Sequence, residues 1–295
     1  MKRSILFSFV LITLTSASSV LHANIWIPLD FPGAQSTSAS GIDGNKIVGT
    51  YAANGVQHGF VYDGTDWETL DYPNAIHSYA RGIDGDMIVG SYYSYSTDFQ
   101  GFIYDGSNFS DLTVTNNATT VAFGVDDGKI VGLYGYSGGH HGFLYDGVNF
   151  TTLDFPGSTT TQIRDIDNGL MVGTYYNDFN FQYQGFIYDG TNWTTLNFPG
   201  AKKTIVSGID NNIIVGTYED SMSRSYGFIY DGTNWETLTF PGVNYTGLGG
   251  IDGDRIVGYY KTSFYGDTRA FIYVIPEPAT FLLLGLGGAL IRWHK

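Results

Sequence analysis

A block of about 42 residues recurs six times along this chain, and the last copy lacks a piece that stands ahead of the first. Each copy reads roughly Gly-Ile-Asp, Ile-Val-Gly-x-Tyr, Gly-Phe-Ile-Tyr-Asp-Gly and Leu-Asp-Phe-Pro. The Ile-Val-Gly element closes on Gly49, Gly90, Gly132, Gly173, Gly216 and Gly258. The Gly-Phe element supplies Phe60, Phe102, Phe143, Phe186, Phe228 and, in its most altered copy, Phe271. The first Leu-Asp-Phe-Pro, residues 29–32, precedes the first Gly-Ile-Asp at Gly41. The repeat is therefore out of phase with the two ends of the chain.

Each copy divides into four strand-like runs; in the second these are residues 79–84, 87–92, 101–104 and 108–114. Gly44-Asn45, Gly85-Asp86 and Gly253-Asp254 are two-residue hairpin turns between the first and second runs. Asp-Gly at Asp63, Asp105, Asp146, Asp189 and Asp231 supplies a positive-φ turn between the third and fourth. No helical periodicity intervenes, so the four strands run up and down. A four-stranded unit every 40–45 residues is the pattern of a propeller blade. The last copy has three strands, 248–252, 255–260 and 269–274, and no fourth; the unpaired fourth is 25–31. An open array would leave raw edges needing caps. The expectation is an all-β, six-bladed β-propeller of four-stranded blades, closed by its N-terminal strand. The conserved Phe of each copy is expected to pack between adjacent sheets, with Trp67, Trp193 and Trp235 nearby.

The repeat resembles the extracellular HAF repeats, in which Gly-Ile-Asn-like, Val-Val-Gly and His-Ala-Phe-Leu segments recur. The matching residues here are Gly101-Phe102-Ile103-Tyr104 and, nearest to the pattern, Arg269-Ala270-Phe271-Ile272. That resemblance implies no catalytic residues.

The ends carry address signals. Lys2 and Arg3, an apolar run over 5–14 and the closing Leu21-His22-Ala23 read as a cleaved signal peptide, residues 1–23. At the other end Pro276-Glu277-Pro278 leads into an apolar segment, 279–291, followed by Arg292 and Lys295. Order and chemistry resemble the PEP-CTERM sorting tail, although only two residues past the apolar segment are firmly basic. The resemblance implies recognition and processing by an exosortase during export. Thirteen apolar residues are marginal for stable spanning, which suits a transient sorting helix better than a permanent anchor. The expected organisation is a signal peptide over 1–23, a propeller over 24–274 and a sorting tail over 275–295. Localisation follows as cell surface or extracellular, with transient membrane association through the C-terminal helix.

Between these signals stand 27 acidic and 10 basic residues, a net charge near −17. Such a surface repels nucleic acid and anionic lipid. The absence of cysteine removes thiol catalysis and thiolate metal sites.

Candidate chemistry is sparse. The Asp of each Gly-Ile-Asp (Asp43, Asp84, Asp126, Asp167, Asp210, Asp252) would form a ring of carboxylates. A residue identical in every copy most simply does one local job, bonding turn amides. Function is expected instead where copies differ. The residue two before Ile in the first strand varies: Ser40, Arg81, Phe123, Arg164, Ser207, Gly249. Arg81 and Arg164 are thereby candidates for the axial channel, where a guanidinium suits a carboxylate such as that of an acidic sugar. The simpler expectation is that they pair with neighbouring acids, Asp165 or Asp84. His140 and His141 point opposite ways on an extended segment and read as surface histidines rather than metal ligands. The clusters Tyr92-Tyr93-Ser94-Tyr95 and Tyr175-Tyr176, with Phe179 and Phe181, are placed in loops between second and third strands, and of them Tyr93, Tyr95, Tyr176 and Phe179 are the aromatic candidates for stacking on sugar rings. No nucleophile elbow or zinc motif is present. The leading reading is a non-enzymatic, exported surface or matrix protein without cofactor. It would be sorted by an exosortase and act as a scaffold or glycan-binding module on extracellular polysaccharide. The opposed reading is a propeller glycan hydrolase or lyase using axial carboxylates.

Overall fold

The structure, a computed structural model, describes residues 25–276 except 96, 116, 117, 137, 264 and 265. The signal peptide, Glu277, Pro278 and the apolar tail segment lie outside the described residues. No helix among the described residues is long and apolar enough to cross a membrane.

The described residues form twenty-four strands. After β1 (Ile25–Leu29) come β2 (Ser36–Asp43), β3 (Lys46–Ala53), β4 (Val56–Tyr62) and β5 (Trp67–Leu70), paired in that order. The same four-stranded meander recurs as β6 (His77–Asp84), β7 (Met87–Ser94), β8 (Thr97–Tyr104) and β9 (Phe109–Leu112). It recurs again as β10 (Thr119–Asp126), β11 (Lys129–Tyr136), β12 (Gly139–Tyr145) and β13 (Phe150–Leu153). Next come β14 (Thr161–Asp167), β15 (Leu170–Asn177), β16 (Gln182–Tyr188) and β17 (Trp193–Leu196). The remaining strands are β18 (Lys203–Asp210), β19 (Ile213–Glu219), β20 (Ser225–Tyr230), β21 (Trp235–Leu238), β22 (Tyr245–Asp252), β23 (Arg255–Lys261) and β24 (Thr268–Val274). These seven and β1 form one eight-stranded sheet, in which β20 and β22 meet through the single parallel pair Ser225↔Tyr245. The first strands β2, β6, β10, β14, β18 and β22 each touch the next, and β22 touches β2. This closed circuit makes the fold an all-β propeller.

The repeat motif explains the packing between sheets. Gly49 pairs with Phe60 across β3 and β4, and the same Gly–Phe pairing recurs in each copy. A Cβ on Gly49 would lie 2.8 Å from the Phe60 ring and 2.1 Å from the Ser38 carbonyl oxygen, so only glycine lets the ring lie across the ladder. Phe60, Phe102, Phe143, Phe186, Phe228 and Phe271 are all fully buried, as expected from the sequence. Each removes a large apolar side chain from water, worth about 1.5–3 kcal/mol.

β1 pairs antiparallel with β24, from Ile25↔Val274 to Leu29↔Ala270. The fourth-strand segment placed over 25–31 therefore ends two residues early: Asp30 and Phe31 leave the ladder. Phe31 instead stacks on Tyr51 with ring centroids 3.7 Å apart, and its amide donates to Thr37 Oγ1 at 3.0 Å. Four other copies repeat both contacts, as in Phe155 on Tyr175 with the Phe155 amide on Thr161 Oγ1. Such stacks correct part of the aromatic reading. Tyr92 and Tyr175 are strand residues stacked on Tyr72 and Phe155 between sheets, and the candidates Tyr93 and Tyr176 also lie within β7 and β15 and not in loops, because the second strands run on past the Ile-Val-Gly element.

Candidate functional site: the axial cavity

Every first strand breaks register at one place. The irregularities fall between Ala39 and Gly41, Ala80 and Gly82, Ala122 and Gly124, Ile163 and Asp165, Val206 and Gly208, and Leu248 and Gly250. The extra residues are Ser40, Arg81, Phe123, Arg164, Ser207 and Gly249, the six that vary between copies. A bulge leaves its extra residue unpaired and re-aims its side chain. All six line a cavity of about 410 Å³ on the axis, and all six also line a narrow chamber of about 40 Å³ beyond it. In the second copy the following glycine is required by the crowding of the first strands: a Cβ on Gly82 would stand 2.5 Å from the Phe123 carbonyl oxygen.

The wide cavity is cationic. Arg164 lies over the Phe123 ring at 4.3 Å and Arg81 over the same ring at 5.2 Å, an arrangement in which both guanidiniums draw on one π face system. Lys203 also lines the cavity and sits over the Tyr183 ring at 5.2 Å. No lining residue is acidic. The expected pairing of the two arginines with Asp165 or Asp84 does not occur. Asp84 Oδ2 accepts the Asp127 amide of the next sheet at 2.9 Å. Asp165 accepts the Ile209 amide at 2.9 Å and the Ile166 amide at 3.0 Å. Arg164 Nη2 donates to Gln162 Oε1 at 2.6 Å, while the Nε atoms of Arg81 and Arg164 are buried without a hydrogen-bond partner among the described residues. The bulge explains the difference, since it turns each guanidinium to the axis while Asp84 stays at the strand end facing the adjoining turn. Burial pushes both arginines down to about 10, and for Arg164 the charge of Arg81 adds to the effect.

Asp165 replaces the glycine present in the other five copies and lines the narrow chamber. Burial raises its carboxyl to about 7 against the two amides that favour the charged form. The repeated Asp residues are occupied elsewhere. Asp43 accepts the Gly85 amide, Asp126 that of Asn168, Asp167 that of Asn211, Asp210 that of Gly253, and Asp252 that of Gly44. With Asp84, these bonds run head to tail around the whole circuit. The turn-bonding role expected of them is present, with each Asp bonding the turn of the next copy. Among the described residues no group of three His, Asp or Glu is placed to hold a metal ion. His141 bonds Asp154 at 2.7 Å and His58 bonds Asp71 at 2.7 Å.

The aromatic candidates divide. Tyr93 packs on Phe99, Phe99 on Tyr79, and Tyr79 lies under Arg81, so a row of rings leads from the cavity to Tyr93. Tyr176 meets Tyr183 edge-on at 5.2 Å, and Tyr183 carries Lys203. Tyr95 and Phe179 are 95% and 94% exposed. Sequence reasoning passed over Phe123, Lys203 and Tyr259 as site residues. Tyr259 lines the cavity from the position held by Thr50, Ser91, Leu133, Thr174 and Thr217 in other copies, a break in pattern readable from the repeat alone.

The tail has a recognisable counterpart. Residues 274–295 match the PEP-CTERM protein-sorting motif. A sorting signal of this kind implies an exported protein directed to the cell surface. No curated protein matches the chain. Among solved structures, the SapL1 lectin in complex with alpha methyl fucoside is 14% identical with a TM-score of 0.54 over 83% of this chain and 98% of that one. A mutant Aleuria aurantia lectin in complex with Fucalpha1-6GlcNAc is 15% identical with a TM-score of 0.50 over 84% and 99%. At these identities the likeness is one of fold, the propeller. Trypanosoma rangeli sialidase, 11% identical, has a TM-score of 0.49 over 90% of this chain and 59% of that one.

Proposed function

We propose that this chain is an exported cell-surface or extracellular-matrix protein whose HAF-like repeats close into a six-bladed propeller that binds glycan. In this reading the eight-stranded sheet is two blades joined by one bridge, and β1 supplies the missing strand of the last. Residues 1–23 are the signal peptide, 24–274 the propeller and 275–295 the sorting tail. An exosortase recognises Pro276, Glu277 and Pro278 while the C-terminal helix holds the chain transiently in the membrane. The observation that carries the glycan reading is the axial cavity, of a size usual for small-ligand sites, with rows of aromatic rings leading out of it. Arg81 and Arg164 bind at its centre, Tyr93 and Tyr176 offer ring faces at its margins, and Tyr95 and Phe179 extend the contact outward. The sugar ligands of the SapL1 and Aleuria lectins support the reading on the same fold. A glycan array probed with the exported protein tests it: retention of a defined set of oligosaccharides is expected, and an array without retained sugar refutes it.

A second reading, a hydrolase or lyase, is favoured by one observation, the axial carboxyl of Asp165 held near neutrality. Hydrolysis of a glycosidic bond ordinarily uses two carboxyls flanking it. The six repeated Asp are committed to turn amides, so the binding reading is preferred. Release of products abolished by Asp165→Asn would reverse that preference.

A further inference from the structure

We infer that the axial cavity selects a carboxylate-bearing sugar, a uronic acid unit of an acidic polysaccharide, through Arg81, Arg164 and Lys203; this rests on the glycan reading above. The body holds ten bases among 27 acids, and most of its short-range ion pairs lie away from the axis, as in Lys46 with Asp86, Lys202 with Glu219 and Arg224 with Asp220. Three of the ten instead converge on one cavity that has no acid in its wall. None of the three has a carboxylate within ion-pair distance among the described residues. Two of them have a buried Nε without a partner. Burying like charges together is unfavourable unless an anion is supplied. A guanidinium pair offers planar donor forks that match a carboxylate, which a neutral sugar cannot exploit. Phe123 between them and Tyr259 at the wall give apolar faces for the sugar ring.

A second cavity of about 350 Å³ shares Ser38 and Tyr259 with the first and continues past Gln57 and Lys261. A chain whose terminal unit sits on the axis can therefore leave over Tyr259, and Lys261 is placed to meet a carboxylate further along. Both cavities belong to the face on which second and third strands join. The acidic remainder of the surface repels the same polymer, so recognition is confined to this one basic tract.

The test is calorimetric titration of the exported protein with tri-galacturonate, with its neutral methyl ester and with monomeric galacturonate. The acid trimer is expected to bind roughly tenfold or more tighter than the ester, and tighter than the monomer, which lacks the groove contacts. The Arg81→Gln/Arg164→Gln variant should bind acid and ester alike, while Lys46→Gln, distant from the cavity, keeps the full preference. Equal binding of acid and ester by the parent protein overturns the inference and leaves the glycan reading standing. Acid preference surviving in the double variant also overturns it, because the carboxylate then binds elsewhere. Absence of binding by all three overturns the inference, and the glycan reading then stands or falls by the array. If the double variant does not fold, Lys203→Gln and the salt dependence of the acid–ester difference decide: the inference requires both to reduce the preference.

Discussion

The pairing of β1 with β24 can be tested residue by residue, because Trp26 and Leu29 serve different cores. Trp26 lies within 5.1 Å of the Phe240 ring and 4.8 Å of Phe271 and Tyr273, in the core built from β22–β24 together with β19 and β21. Leu29, 4% exposed, packs with Ala39, Ile42 and Phe60 on the following side. Ile27, on the same face of β1 as Leu29, is 43% exposed. Removing a buried Leu or Trp side chain costs about 2–5 kcal/mol, and the partial exposure of Trp26 places it toward the lower end. We expect about 3 kcal/mol for each of Trp26→Ala and Leu29→Ala, against under about 1 kcal/mol for Ile27→Ala. In a domain of this size that corresponds to melting shifts of roughly 6–12 °C for the first two. Thermal and urea unfolding followed by circular dichroism measures all three. Deleting residues 25–29 should lower the midpoint further by exposing the β24 edge, and joining that strand after Val274 should restore it. The reasoning fails if Trp26→Ala and Ile27→Ala melt together, or if the deletion variant is as stable as its parent.

Four further outcomes are expected. Gly82→Ala places a Cβ 2.5 Å from the Phe123 carbonyl oxygen and should cost about 1–3 kcal/mol, readable by denaturant titration. Asp165, raised to about 7 from an unfolded value near 4, binds its proton more tightly when folded. Stability should therefore fall as pH rises from about 4 to 7, by on the order of 3 kcal/mol, and Asp165→Asn should flatten that slope. Asp63, Asp105, Asp146, Asp189 and Asp231 are held below the usual carboxylate range chiefly by turn amides, so their contribution is lost only below about pH 4. Replacing Pro276, Glu277 and Pro278 by alanine should leave the propeller folded but its tail unprocessed, which mass spectrometry of the exported fraction would show.

Most of the scaffold was legible because each of its devices is local and repeated. Recurrent strand-like runs without helical periodicity marked the strands, Gly-Asp and Asp-Gly marked the turns, and the phase of residues 29–32 pointed to the β1–β24 pairing. The site was legible only in part. That Ser40, Arg81, Phe123, Arg164, Ser207 and Gly249 share one position is a sequence fact, but that this position is a bulge depends on cross-strand register. The acids nearest the arginines in sequence were expected to neutralise them; the fold sends Asp84 to a neighbouring turn and Asp165 to two amides. Sequence proximity says nothing about which side of a bulged strand a carboxylate takes. Tyr92 and Tyr175 looked like loop aromatics because the stacking partners, Tyr72 and Phe155, lie about twenty residues earlier, in the links that follow β5 and β13.

The central claim is that function resides on the axis, at the residues the bulges present. A crystal structure of the exported protein soaked with tri-galacturonate tests it most directly. The account predicts a sugar carboxylate within hydrogen-bond distance of Arg81 and Arg164, its ring against Phe123 or Tyr259. A trisaccharide seated between sheets or on the outer loops at Tyr95 and Phe179, with only solvent on the axis, would contradict it.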